Sequence, residues 1–144
     1  MPLFPDQPAV GPSQTVQTVL AADTTTTSTS FVNLLTHLIA VQEGSYLLVR
    51  ASFSTSDSAS SSSGNQFRLT VDDVAFGYAG AEVYSGCSQS GSVCAKVGPL
   101  TGGFHAVNLD WQTVSGNTLQ CRPVTQQEQA TLISTEITDY QVGG

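Results

Sequence analysis

The sequence is poor in charge. Of its 144 residues, Lys and Arg supply 4 and Asp and Glu 11, so charged residues make up 10% and the net charge is −7. Ordinary globular chains carry roughly 25% charged residues. So sparse and acidic a chain lacks the basic footprint that nucleic acid demands, and no nucleic-acid partner is expected. Long apolar runs are also missing: none approaches the roughly 20 residues of a membrane span, so no membrane partner is expected either. The opening residues, Met1-Pro2-Leu3-Phe4-Pro5-Asp6, show no basic stretch followed by an apolar one, and no secretory leader is expected. Histidine is confined to His37 and His105, tryptophan to Trp111, and cysteine to Cys87, Cys94 and Cys121.

Those scarcities narrow the chemistry. An odd cysteine count without a leader does not read as a secreted disulfide framework, so reduced thiols are expected, although Cys87 and Cys94 could meet across a hairpin. Zinc would need Cys-x2-Cys pairs or nearby histidines, and neither occurs. No Gly-x-Ser-x-Gly elbow and no glycine-rich phosphate loop before a helix is present. Asp72 and Asp73 are adjacent, so their side chains diverge; they suit a tight turn better than the paired carboxylates of a glycosidase. With Asp110 they also lack the spacing of an EF-hand calcium loop. His105 is in register with Val107, Leu109 and Trp111, which reads as a satisfied histidine at a core edge and places Trp111 in the core. His37, inside an apolar stretch, suits an interface or a capped core. Cys121 alternates with Leu119 and reads as a small core residue. No enzyme activity, cofactor or metal is expected.

What the chain has in abundance is Ser (18) and Thr (17), together with period-2 patterning. Residues 1–14 stand apart: Pro2, Pro5 and Pro8 recur at the three-residue turn of polyproline II, and Pro12 follows. Such a segment cannot donate a full hydrogen-bond ladder, so it is expected to be an extended arm, with Leu3, Phe4, Pro5, Pro8 and Val10 as its contact residues. From 15 to 144 the pattern is strand, turn, strand. Leu47, Val49, Ala51 and Phe53 alternate with Tyr46, Leu48, Arg50 and Ser52; Phe67, Leu69 and Val71 with Gln66, Arg68 and Thr70; His105, Val107, Leu109 and Trp111 with Ala106, Asn108, Asp110 and Gln112; and Ile133, Thr135 and Ile137 with Leu132, Ser134 and Glu136. A Ser-rich run from Ser54 to Asn65 reads as an exposed loop. Gly77 to Gly98 has room for one or two weak strands. About eight antiparallel strands separated by turn signals indicate an all-β sandwich or barrel.

Phe31 to Val41 fits two templates. Phe31, Leu34, Leu35, Leu38 and Ile39 match helical spacing, but the period-2 surroundings favour a strand. As a strand it is apolar on both faces, whereas a sandwich strand normally buries one. The second face needs a cover, either another subunit or the chain's own loops or arm. Phe31, Leu34, Leu35, Leu38 and Ile39 are therefore the candidate subunit-interface residues.

Several segments in order carry a likeness: Ser30-Phe31-Val32-Asn33-Leu34 with Glu43-Gly44-Ser45-Tyr46-Leu47-Leu48-Val49, then Phe67-Arg68-Leu69-Thr70-Val71-Asp72-Asp73-Val74, then Gly103 to Trp111 and Ala130 to Ile137. Together they resemble the jelly-roll domains of phage virion proteins, of the C1q/TNF type. Such domains often place Asp-Gly where this chain has Asp72-Asp73. The resemblance implies a homotrimer. A short chain with a Pro-rich arm looks most like a capsid decoration (cement) protein. The implied partner is the major capsid protein, and the implied location is the capsid exterior of a virion made in a host cytoplasm. The alternative is a receptor- or carbohydrate-binding tip domain of a phage tail fibre; a secreted C1q-like lectin would need a leader.

Overall fold

Alternating apolar and polar residues give a strand one dry face and one wet face. The computed structural model describes residues 14–57, 63–83, 89–114 and 116–138, and among them it contains ten strands and no helix. These are β1 (Thr15–Val19), β2 (Thr24–Thr26), β3 (Val32–Val41), β4 (Tyr46–Asp57), β5 (Ser63–Val71), β6 (Val74–Val83), β7 (Gln89–Val97), β8 (Gly103–Thr113), β9 (Leu119–Cys121) and β10 (Ala130–Ile137). One sheet runs β3-β8-β5-β6; the other runs β1-β10-β4, with β7 along the opposite edge of β4. Where β10 stops at Ala130↔Phe53, the short β9 takes over beside Ser56 and Asp57, and β2 flanks β9. Setting those short pieces aside, eight antiparallel strands divide into β1-β10-β4-β7 and β3-β8-β5-β6, the interleaved order of a jelly roll. Residues 1–13 of the expected arm, including Leu3, Phe4, Pro5, Pro8 and Val10, lie outside the described residues.

The inward faces meet in one core. Leu47, Val49, Ala51 and Phe53 of β4 face Phe67, Leu69 and Val71 of β5 and Val107, Leu109 and Trp111 of β8. Phe53 stacks on Phe67 at 3.7 Å, and Phe67 meets Trp111 at 6.4 Å. Trp111 is thus a core residue, as its alternation indicates. The core ends in a polar layer one step beyond the Phe53–Phe67 stack, at Thr55, Asn65 and Thr113.

Two departures from simple alternation shape the site described below. First, β3 is a strand, and its register on β8 slips between Asn33 and Leu35. This bulge turns Leu34 inward as well as Leu35, so both are buried. The outward residues that follow are Thr36, Leu38 and Ala40. The second face of β3 is therefore less apolar than strict alternation would make it. Second, β6 and β7 are full-length strands despite their glycines. The two pack side by side at the closing edge of the sandwich, where a Cβ on Gly77 would sit 3.0 Å from Val93 Cγ2. Glycine there is a packing requirement and not a loop signal.

Candidate interaction surface

Asp72 and Asp73 close the β5–β6 hairpin with φ of 51° and 67°. Positive φ at both central positions of a two-residue loop is the type I′ turn, for which Asp-Gly is the commoner choice. Aspartate tolerates the left-handed region, and Asp72 gains partners there. The Ala106 N–H donates to Asp72 Oδ1 (3.0 Å), and His105 Nδ1 lies 2.6 Å from Asp72 Oδ2. The other ring nitrogen of His105 lies 2.7 Å from the Thr101 carbonyl oxygen. Burial opposes charge on His105, but the carboxylate and carbonyl that face it raise its pKa above the ordinary value. Burial opposes charge on Asp72 too, and the bonds from His105 and Ala106 outweigh it, so its pKa falls. His105 is a satisfied core-edge histidine, and the pair clasps β8 to the hairpin.

His37 sits between the sheets. Its Nδ1 lies 2.9 Å from Thr18 Oγ1 on β1, and its Nε2 lies 2.8 Å from Ser134 Oγ on β10. It ties β3 to the opposite sheet, and burial lowers its pKa. Cys121 is a buried free thiol pushed up to about 12, by burial first and then by Glu128 and Asp23, so it is inert as a nucleophile. Cys94 is an exposed free thiol on β7; Cys87 lies outside the described residues.

The outer face of the β3-β8-β5-β6 sheet carries the largest exposed apolar side chains on any one face among the described residues. Register places Asn33, Asp110, Arg68 and Tyr78 in one row across all four strands. Arg68 donates to Asp110 Oδ2 from Nη2 (2.9 Å) and Nε (3.2 Å), and Asp110 is buried. Phe31 lies over this pair: the Arg68 guanidinium is 4.3 Å from its ring centre, and its ring meets that of Tyr78 at 6.2 Å. In the next row the Gln112 side-chain amide donates to Gln66 Oε1, and Gln66 faces Gly80. A hollow of about 360 Å³ opens here, lined by Gln66, Tyr78, Ala79 and Gly80. In the other direction, Asn108 donates to Thr70 Oγ1 and forms a polar bridge. Beyond it lies a second lobe, where Leu38 faces Ala106 and Ala40 faces Phe104.

The structure separates the five residues expected at a subunit interface. Leu34, Leu35 and Ile39 belong to the protomer's own core and present no surface. Phe31 is half-buried against Arg68 and Tyr78. Leu38 is 60% exposed and is joined by Phe104 at 74%. Phe104, Phe76 and Tyr78 were not singled out from sequence. The first follows from strict alternation with the inward His105; the other two required reading the glycine-rich segment as a strand.

No protein-family model matches this chain, and no curated protein does. Among solved structures, it is similar to the C-terminal domain of EclA, a sugar-binding protein, at 11% identity over 76% of this chain and 74% of that one, with a TM-score of 0.39. It is also similar to a chain from Bacillus endospore appendages, described as forming a novel family of disulfide-linked pili, at 12% identity over 89% of this chain and 93% of that one, with a TM-score of 0.43.

Proposed function

We propose that this chain is a non-enzymatic virion protein, a capsid decoration protein that forms trimers on the outside of a phage head and stabilises it by contacts with coat subunits. The observation that carries the reading is the Leu38–Phe104 lobe on a jelly-roll sheet. Leu38 and Phe104, diagonal neighbours on β3 and β8, are the two most exposed large apolar side chains of this lobe, at 60% and 74%. Fully burying side chains of this size is worth roughly 1.5–3 kcal/mol each. In a ring of three, each copy gives one patch and takes another, so the gain is repeated at each contact. The proline-rich arm, through Leu3, Phe4, Pro5, Pro8 and Val10, would add a coat contact, and three arms acting together raise avidity by roughly 10²–10⁴.

Light scattering on the purified chain is expected to give a trimer. Leu38→Asp with Phe104→Asp is expected to give a folded monomer, since both side chains are exposed in the protomer. A monomeric wild type, or a double variant with unchanged mass, rejects the lobe as the seam. Deleting residues 1–13 separates arm from sandwich: loss of binding to phage heads with the trimer mass intact supports the arm, and undiminished binding rejects it.

A further inference from the structure

We propose that the Tyr78 end of the four-stranded sheet's outer face is a binding site for a neutral carbohydrate. The assignment does not depend on the decoration reading. Tyr78 is 65% exposed on β6, and the next residue on that face, Gly80, has no side chain. The resulting hollow of about 360 Å³ falls at the small end of ligand clefts, which run roughly 300–1,000 Å³. An aromatic face carries negative quadrupole charge and attracts the polarised C–H groups on the flat side of a sugar ring. The Gln66 side-chain amide lines the hollow with the ring, and the Gln112 amide joins it from the next strand, β8. Because Gln112 donates to Gln66 Oε1, the Gln66 amide N–H groups and Gln112 Oε1 are left to meet hydroxyls, one as donor and the other as acceptor.

Charge selects the class of ligand. The cation nearest Tyr78 in its row, Arg68, is held by Asp110 and roofed by Phe31, so the row offers no net charge to an ionic ligand. The chain's net charge of −7 further repels acidic polymers. A protein partner would want roughly 800 Å² of contact per side. The hollow itself is lined by four residues, and on β8 and β5 the Asn108–Thr70 bridge separates it from the Leu38–Phe104 lobe, with Phe76 continuing the face along β6. A stacking ring, paired amides and a neutralised cation in a small hollow suit an uncharged polyol.

The test uses the full chain and four neutral probes: maltohexaose, cellohexaose, mannohexaose and chitohexaose, examined by saturation-transfer NMR. At least one is expected to receive saturation. Tyr78→Ala should weaken its binding roughly tenfold, and Tyr78→Phe should retain it. Gly80→Val should abolish binding, with the melting temperature as the check on folding; a Cβ at Gly80 meets only the Asn65 carbonyl oxygen, at 3.7 Å, so the backbone has room for a side chain there. Failure of all four probes on the wild type overturns the proposal. So does binding that survives both Tyr78→Ala and Gly80→Val. A change in oligomer mass in Tyr78→Ala, with no sugar bound by the wild type, also overturns it and makes this end a self-association surface.

Discussion

At His105 both ring nitrogens face acceptors, a carboxylate and a carbonyl, so the arrangement is complete only when the imidazole carries both protons. Its raised pKa means that the clasp contributes fully below the ordinary value of 6.5 and is lost as pH rises through the folded value. Asp72 has a lowered pKa, so its contribution is present above 3.8 and is lost as pH falls through the depressed value. The clasp is therefore strongest between about 3.8 and 6.5. Asp72 is half-exposed, and solvent screening holds the effect to about 1 kcal/mol or less. His37 has the opposite linkage: its pKa is lowered, so it weakens the fold as pH falls below 6.5. Melting temperature against pH should therefore show Asp72→Asn reducing the alkaline loss, with the Thr101 carbonyl still facing His105, while leaving the acid-side loss from His37. Asn keeps the acceptor for the Ala106 N–H, so the turn survives. A wild-type profile flat above pH 6.5, or an alkaline limb unchanged in Asp72→Asn, contradicts the clasp. A second residue-scale prediction concerns Thr55, fully buried with a hydroxyl that has no hydrogen-bond partner among the described residues. Replacing a buried orphan hydroxyl by a methyl of equal shape removes a desolvation penalty of roughly 1–3 kcal/mol. Thr55→Val should raise the denaturation midpoint without changing the slope; a lowered midpoint would show that the hydroxyl is satisfied. At this scale much was legible. Trp111, His105 and Cys121 follow from alternation alone. The partners of His37 do not, because Thr18 and Ser134 come to it from the opposite sheet.

Strands are harder to read where packing replaces pattern. Glycines in β6 and β7 reduce both hydrophobicity and β-propensity, so a full hairpin flank looks like one or two weak strands. Their physical reason becomes visible only when the sheets are closed. A Cβ on Gly91 would sit 2.6 Å from Phe53 Cε2, and the Phe53 ring is backed by Phe67 at 3.7 Å and cannot retreat freely. Gly91→Ala should therefore cost roughly 1–3 kcal/mol by overpacking. Gly80→Ala, with room for its Cβ, should instead gain roughly 0.5–1 kcal/mol from reduced chain entropy. Urea unfolding of the two variants checks the contrast; equal effects would mean that glycine is tolerated at both sites for the same reason. The bulge in β3 is a second limit. Period 2 places Leu34 on the outer face with Leu38, but one extra residue turns it into the core. No local feature of Asn33-Leu34-Leu35 announces that slip, which is set by the match of β3 to β8. Of the expected interface residues, Leu38 and the half-buried Phe31 remain on the outer face, and Phe104, the neighbour of Leu38, comes from a strand 66 positions away in the chain.

For the whole molecule, the strand content and sandwich were legible because alternating segments in such number leave few alternatives, whereas β2, three threonines long, carries no apolar pattern. Charge then sets how copies can meet. Each protomer brings −7, so any self-association through Leu38 and Phe104 works against long-range repulsion between like-charged bodies. Added salt shortens the reach of that repulsion, from about 30 Å at 0.01 M to about 8 Å at 0.15 M, and leaves apolar burial nearly untouched. The proposed trimer should therefore tighten as ionic strength rises over this range. A seam held by complementary charges would loosen instead. Sedimentation velocity at the two salt concentrations distinguishes them. A mass that falls with salt would move the seam to a charged surface, whereas a mass that rises in the wild type, but not in Leu38→Asp, identifies the apolar lobe as the contact that drives assembly.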